Sequence, residues 1–251
     1  PLGMPLRCSR ILSQQDKWEI ISMPSKRSQQ NLRAATVSET GPPRSGRLYV
    51  VAVPIGHPDD LTVRAIRILK TVDIIASEDP QATQRLLAHH QIRGRVISYG
   101  PWNLKEKVAV LLQRLQQGAE VAIVADCGSP LIADPGHLLV AAAHASRIPV
   151  VPVPGPSAVI AALSTDGLPC DSFFFLGHLP NNSTRVVRCL TDALKRNIPT
   201  MVFGTARAVA CALRVLVSIA PRRHIVLACD LTRANERILC GTARRVSREL
   251  P

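Results

Sequence analysis

The sequence predicts an α/β protein: a parallel-rich sheet flanked by helices in a first lobe, then a smaller mixed α/β lobe. Three observations carry that prediction. Short apolar runs without polar alternation, such as those opening at Leu48 and Val121, read as strands buried on both faces. They alternate with segments whose apolar residues recur at helical spacing, the pattern of strand–helix–strand units. Gly and Pro gather just after three of the apolar runs rather than inside them.

Taken in order, residues 1–46 stand apart: polar, rich in Ser, Gln and Arg, and ending in a Pro/Gly cluster. They read as a flexible basic extension. Pro1-Leu2-Gly3 ahead of Met4 reads as an appended scar, and the Arg- and Ser-rich composition also resembles a transit peptide, against which Asp16 and Glu19 count. From Arg47 the rhythm changes. "RLYVVAVP" is a strand, and Leu61, Ala65, Ile66 and Leu69 form a helical stripe with Thr62 as its N-cap. "DIIASED" is a short strand ending in acids, "QATQRLLAHH" a helix and "RVISY" a strand. Leu104, Val108, Leu111, Leu112 and Leu115 make the next helix, closed by Gly118. "EVAIVAD" is a strand, "HLLVAAAHAS" a helix and "IPVVPVP" a strand. Gly167-Leu168-Pro169 marks a lobe boundary, giving lobes at 47–165 and 166–251. The second lobe continues with "SFFFLG", a helix near 183–196, "PTMVF", a helix near 205–218, and "HIVLAC".

The formal net charge is +13, with Arg far outnumbering Lys, and the share in 166–251 is the largest at +7. Arginine grips phosphate with a planar fork, so a polyanion such as RNA is the natural partner, weighed evenly against a merely soluble basic surface. The seven cysteines form no C-x-x-C pair. That spacing argues against a zinc site and a disulfide framework, and for a reducing compartment. No run of about 20 apolar residues is present, so a soluble protein of the cytoplasm or an organelle is expected, the cytoplasm being preferred, and no metal is expected.

Three Gly/Pro loops follow strands directly: Pro54-Ile55-Gly56, Asp126-Cys127-Gly128-Ser129-Pro130, and Pro154-Gly155-Pro156-Ser157. Ligands of parallel sheets sit where such loops converge, although each loop alone is as well read as a plain turn. The chain lacks G-x-G-x-x-G, the P-loop, H-E-x-x-H and G-x-S-x-G motifs, which sets aside dehydrogenase, NTPase, metalloprotease and α/β-hydrolase readings. His89-His90 reads as the polar end of a helix, and Asp59-Asp60 as acids serving a helix N-terminus.

The segments "LYVVAVPIGHPDDLTVRAIRILKTVDIIASED", "VADCGSPLIADPG" and "VVPVPGPSAVIAALSTDGLPCDSFFFLGHLP" together resemble the tetrapyrrole-methylase-type methyltransferases. Within them the similarity is greatest to the ribosomal RNA small subunit methyltransferase I family, which methylates a cytidine 2′-hydroxyl of 16S rRNA. It spans roughly residues 47–249, and "DLTRANERILCGT" resembles that family's last helical region. The resemblance implies a two-lobed enzyme, a homodimer, using S-adenosylmethionine. Carried over by position, Pro54, Gly56, Asp126, Gly128, Ser129, Pro130, Leu131, Ile132, Pro154, Gly155, Ser157 and Ala158 would line the cofactor cleft, with Met201 near the adenine. Glu78 and Asp79 are the candidate bases, against an equal reading as caps of the helix near Gln81. Arg185, Arg188 and Arg207 would hold RNA.

The chain departs from the family at three places. Pro80-Gln81 stands where the family has Thr-Arg, His57-Pro58 where it has Asn-Leu, and Val202–Arg207 replaces a Y-E-S-P-H-R-like segment. The chain also ends before an expected last strand. Two alternatives therefore accompany the rRNA methylase reading: a same-fold methylase of a tetrapyrrole or protein side chain, and a non-catalytic RNA-binding relative.

Overall fold

The computed structural model describes residues 45–100, 104–196 and 198–250; the extension read at 1–46 falls almost wholly outside them. Five parallel strands form the main sheet: β1 (Leu48–Val51), β2 (Ile74–Ser77), β3 (Val96–Ser98), β4 (Val121–Val124) and β5 (Val150–Val153). Their order is β3-β2-β4-β1-β5, and every pairing is parallel.

That order fixes where the helices go. From β1 to β2 and β2 to β3 the chain moves toward one edge; from β3 to β4 and β4 to β5 it moves back. Right-handed crossovers in opposite directions place their helices on opposite faces. Accordingly α1 (Val63–Thr71) and α2 (Pro80–His89) pack with Val51, Ile75, Ala122 and Val124. The other face takes α3 (Leu104–Gln116) and α4 (His137–Ala145), against Leu48, Ile74, Val121 and Ile123. Alternate residues of each strand enter the two clusters, the period of a pleat covered on both sides. The continuous apolar runs of the sequence are thereby explained.

Local signals hold at the helix ends. Thr62 caps α1 by accepting the Ala65 N–H at 3.1 Å, and Gly118 ends α3 with φ of +95°. Asp59 and Asp60 lie in the first turn of a short 3-10 helix (Pro58–Asp60), ahead of the Thr62 cap of α1. A short helix that no periodicity marked, α5 (Ala158–Leu163), follows β5.

Beyond it, β6 (Phe174–His178) and β7 (Thr200–Phe203) pair in parallel around α6 (Ser183–Leu194). After α7 (Ala206–Ile219), β8 (His224–Cys229) pairs antiparallel with β9 (Arg237–Thr242), and α8 (Ala243–Glu249) closes the described chain. The segment expected to be helical at 230–242 is thus half strand. Its backbone from Arg237 to Thr242 finds partners along the whole of β8, and helix begins only after the Thr242 cap. Among the described residues no helix is long and apolar enough to cross a membrane.

Candidate active site at the carboxyl edge of the sheet

β4 and β1 are neighbours, yet the chain leaves them toward opposite faces of the sheet. Such a switch point opens a crevice at the strands' carboxyl ends. A cavity of about 330 Å³ lies there, lined by Val53–Gly56 after β1 and Ala125–Cys127 after β4, with Thr83, Arg85 and His89 of α2 and Arg233 completing it. With β5 on the other side of β1, the three Gly/Pro loops of the sequence stand side by side.

The loops are tied together before any ligand arrives. Val53 and Gly128 exchange backbone hydrogen bonds, N–H to carbonyl, at 2.9 and 3.1 Å. Gly128 sits at φ of +74°, and its N–H is committed to this bridge. Ser129 Oγ donates to the Pro156 carbonyl at 3.3 Å, joining the second loop to the third. Leu131 (φ +70°) and Ala133 (φ +64°) adopt left-handed backbone that non-glycine residues rarely hold. Strain of this kind persists only where the surroundings over-determine it, and it gathers at functional sites.

Gly56 explains a contact from far along the chain. A Cβ there would lie 2.4 Å from the Leu231 carbonyl oxygen and 2.7 Å from Thr232 Oγ1. The turn between β8 and β9 packs against the bare glycine, Thr232 Oγ1 accepts the His57 N–H at 2.8 Å, and Arg233 thereby reaches the cavity.

Of the acids after β2, Asp79 is the N-cap of α2, accepting the Gln81 and Ala82 N–H groups at 2.9 and 3.0 Å. Its own N–H donates to Asp126 Oδ1 at 3.0 Å, which links the β2 and β4 ends. Glu78 makes no such cap. Burial pushes its carboxyl above the usual carboxylate range, and the Asp126 and Asp134 charges push further. Asp134 is raised in the same way, by burial and then Asp126, while His178 opposes. The Cys127 thiol is raised by burial and by the same acids. Three carboxyl groups therefore share one electrostatic site. Two residues on from Asp134, Gly136 is the N-cap of α4.

Other expected residues fall as follows. Pro54, Gly56 and Asp126 line the cavity; Pro130, Leu131 and Ile132 extend along the strained loop, with Ile132 exposed. Pro154 and Gly155 are exposed, and a Cβ on Gly155 would meet Ala52 Cβ at 3.1 Å. Ser157 and Ala158 start α5, with no side-chain cap bond from Ser157. Met201 lines a different cavity, of about 790 Å³, between α5, α6, α7 and β8. Arg185, Arg188 and Arg207 are exposed on α6 and the first turn of α7. The contributions of Arg233, Arg85 and His89 went unseen, since no local pattern signals a contact set by strand order.

A sequence profile of the tetrapyrrole (corrin/porphyrin) methylases matches residues 47–247. The chain is 40% identical over 195 residues to ribosomal RNA small subunit methyltransferase I of Escherichia coli O157:H7, covering 77% of this chain and 68% of that one. For the protein of that name from Xylella fastidiosa the identity is 42% over 199 residues, covering 78% and 72%. For that of Micromonospora olivasterospora it is 38% over 207 residues, covering 82% and 66%. The chain thus spans about two thirds of the length of these relatives. Among solved structures, cobalt precorrin-4 methyltransferase superposes with a TM-score of 0.60 at 18% identity, covering 81% of this chain and 88% of that one. Diphthine synthase gives 0.61 at 15% identity, covering 81% and 84%. Fold, switch-point site and sequence agree, and the chain belongs to the tetrapyrrole methylase family.

Proposed function

We propose that this chain is an S-adenosylmethionine-dependent methyltransferase acting on a cytidine 2′-hydroxyl of small-subunit rRNA in the cytoplasm. The observation that carries the reading is the crevice lined by the loops after β1 and β4, which are bonded to each other and, through Ser129, to the third loop, with Asp126 in its wall and the Glu78 and Asp134 carboxyls coupled to Asp126. Relatives named for small-subunit rRNA methylation support the substrate class.

The residues present fit this cofactor. When bound, it supplies a methyl group already activated on a cationic sulfonium. Negative charge from Asp126, with Asp134 coupled to it, favours a cation in the crevice. Asp126 offers its second oxygen to hydroxyl or ammonium donors, since Oδ1 accepts from Asp79. Arg233 suits a carboxylate.

Glu78 is the base we assign. A ribose hydroxyl is a weak nucleophile, and a carboxylate whose pKa lies above its ordinary range is a better proton acceptor near neutral pH. Asp79 positions it by capping α2 and binding Asp126. Arg185 and Arg188, three residues apart on one exposed face of α6, and Arg207 on α7 meet phosphates, which set register without reading sequence. The lobe boundary at Gly167 and a homodimer form part of the same proposal; light scattering of the purified protein tests the latter.

Calorimetry tests the cleft. Wild-type protein binds S-adenosylmethionine, and Asp126→Ala binds it at least about tenfold more weakly, the loss of one charge-assisted contact. Equal affinity for both proteins overturns the assignment.

A further inference from the structure

We propose a second site, unrelated to the methyl-transfer crevice: a transition-metal site formed by Asp166, His224 and Cys240. These residues are far apart in sequence, just after α5, at the start of β8 and within β9. The fold brings one ligand atom of each within 4.8 Å of the others. Antiparallel pairing of β8 with β9 sets Cys240 opposite Val226, one diagonal step from His224, so both side chains stand on one face of the hairpin.

A single ring nitrogen faces both other groups. His224 Nε2 lies 3.2 Å from Asp166 Oδ1 and 3.4 Å from Cys240 Sγ. A neutral imidazole nitrogen carries either a proton or a lone pair. If Nε2 donates to the carboxylate, the thiol has no acceptor there; if it accepts from the thiol, the carboxylate faces a lone pair. The same fact excludes a Cys-His-Asp catalytic triad, which needs the carboxylate and the nucleophile on opposite ring nitrogens. One cation at the point where all three converge satisfies every group.

The distances agree with that. A tetrahedral ion with bonds of about 2.3 Å to sulfur and about 2.0–2.2 Å to nitrogen and oxygen holds neighbouring donors about 3.3–3.6 Å apart. The two edges that meet at Nε2, 3.2 and 3.4 Å, are close to this, and the third lies within 4.8 Å. By contrast, the other candidate group, Asp59, His89 and His90, is closed by ordinary hydrogen bonds: His89 Nε2 to Asp59 Oδ1 at 2.8 Å and His90 Nε2 to the Pro58 carbonyl at 2.9 Å. Thiolate, imidazole and carboxylate select a borderline-soft divalent ion, Zn²⁺ or Co²⁺, and their two negative charges balance it. A water molecule takes the fourth position. Arg245, a cation on the adjoining α8, is held by Glu249 at 2.8 Å.

The position gives the ion a structural role. It ties the chain leaving α5 to the base of the β8–β9 hairpin, whose opposite end touches Gly56 and His57 at the crevice. Cysteine spacing, which argues against a zinc site, does not bear on these ligands, because they share no spacing motif.

The test uses the whole chain, stripped with chelator under a non-thiol reductant and titrated with Co²⁺. The proposal predicts saturation at one equivalent, with a thiolate-to-Co²⁺ charge-transfer band that Zn²⁺ displaces. Cys240→Ser removes the band, His224→Gln and Asp166→Asn weaken binding, and His89→Gln leaves both unchanged. Far-ultraviolet circular dichroism of the metal-free proteins checks that each variant folds; if Cys240→Ser does not, the other two carry the test. No band at one equivalent, a band surviving in folded Cys240→Ser, or one lost in His89→Gln overturns the proposal.

Discussion

The five-stranded sheet and the strands that follow it are built to different standards. β2 and β4 are buried along their whole length and lie between two layers of helices. β7 is only partly buried throughout, and β8 begins exposed. The later strands form two separate pairs rather than one sheet, and their core is a small cluster around Val186, Leu190 and Ala212. The difference teaches where precision is placed. The loops proposed to hold the cofactor hang from the over-determined sheet, which can sustain the strain at Leu131 and Ala133. The exposed arginines proposed to meet RNA stand among the later, less buried elements.

Truncating equivalent core leucines breaks or sharpens this contrast most strongly. Leu111→Ala on α3, where the side chain is 0% exposed, should destabilise by about 4 kcal/mol, and Leu190→Ala on α6, at 6%, by about 2 kcal/mol. Denaturant midpoints measure both, and equal losses would remove the distinction. Next comes the contact joining the halves. Gly56→Ala forces Cβ into the Leu231 carbonyl and should cost about 2 kcal/mol, with weaker cofactor binding, because that carbonyl is backbone and cannot swing aside. Unchanged stability would mean the β8–β9 turn rests there loosely.

A pH effect follows from the clustered acids. The folded-state pKa of Asp134 lies above its unfolded value, so the folded protein holds the proton more tightly. Its contribution is fully present below the ordinary carboxylate range and is lost as pH rises through the raised value. Stability should fall across that window, and Asp134→Asn should flatten the fall. The smallest effect belongs to the exposed pair of Asp59 and His89: His89→Gln should change stability by under about 0.5 kcal/mol.

Much of this was legible in the sequence, for physical reasons that differ by element. Thr62 and Gly118 announce helix ends because capping is local. The three Gly/Pro loops were visible because turn chemistry is local as well. Their adjacency was not, since it depends on β4 inserting between β1 and β2, a property of strand order alone. Arg233 reaches the crevice through a hairpin turn more than a hundred residues from β4, beyond any window of periodicity. The helical expectation for 230–242 rested on resemblance alone; the strand nature of Arg237–Thr242 is decided by its pairing with β8, far from any local signal. For Glu78 and Asp79 the two readings stood level. The structure gives the cap to Asp79 and leaves Glu78 without one.

That division makes one measurement decisive: transfer of tritiated methyl from S-adenosylmethionine to small ribosomal subunits lacking the modification. Wild-type protein should label 16S rRNA at a cytidine ribose. Glu78→Gln should bind cofactor normally yet label about 10²–10⁴-fold more slowly, the worth of a positioned base. Absence of rRNA labelling by wild-type protein that binds the cofactor, or full activity in Glu78→Gln, would contradict the account.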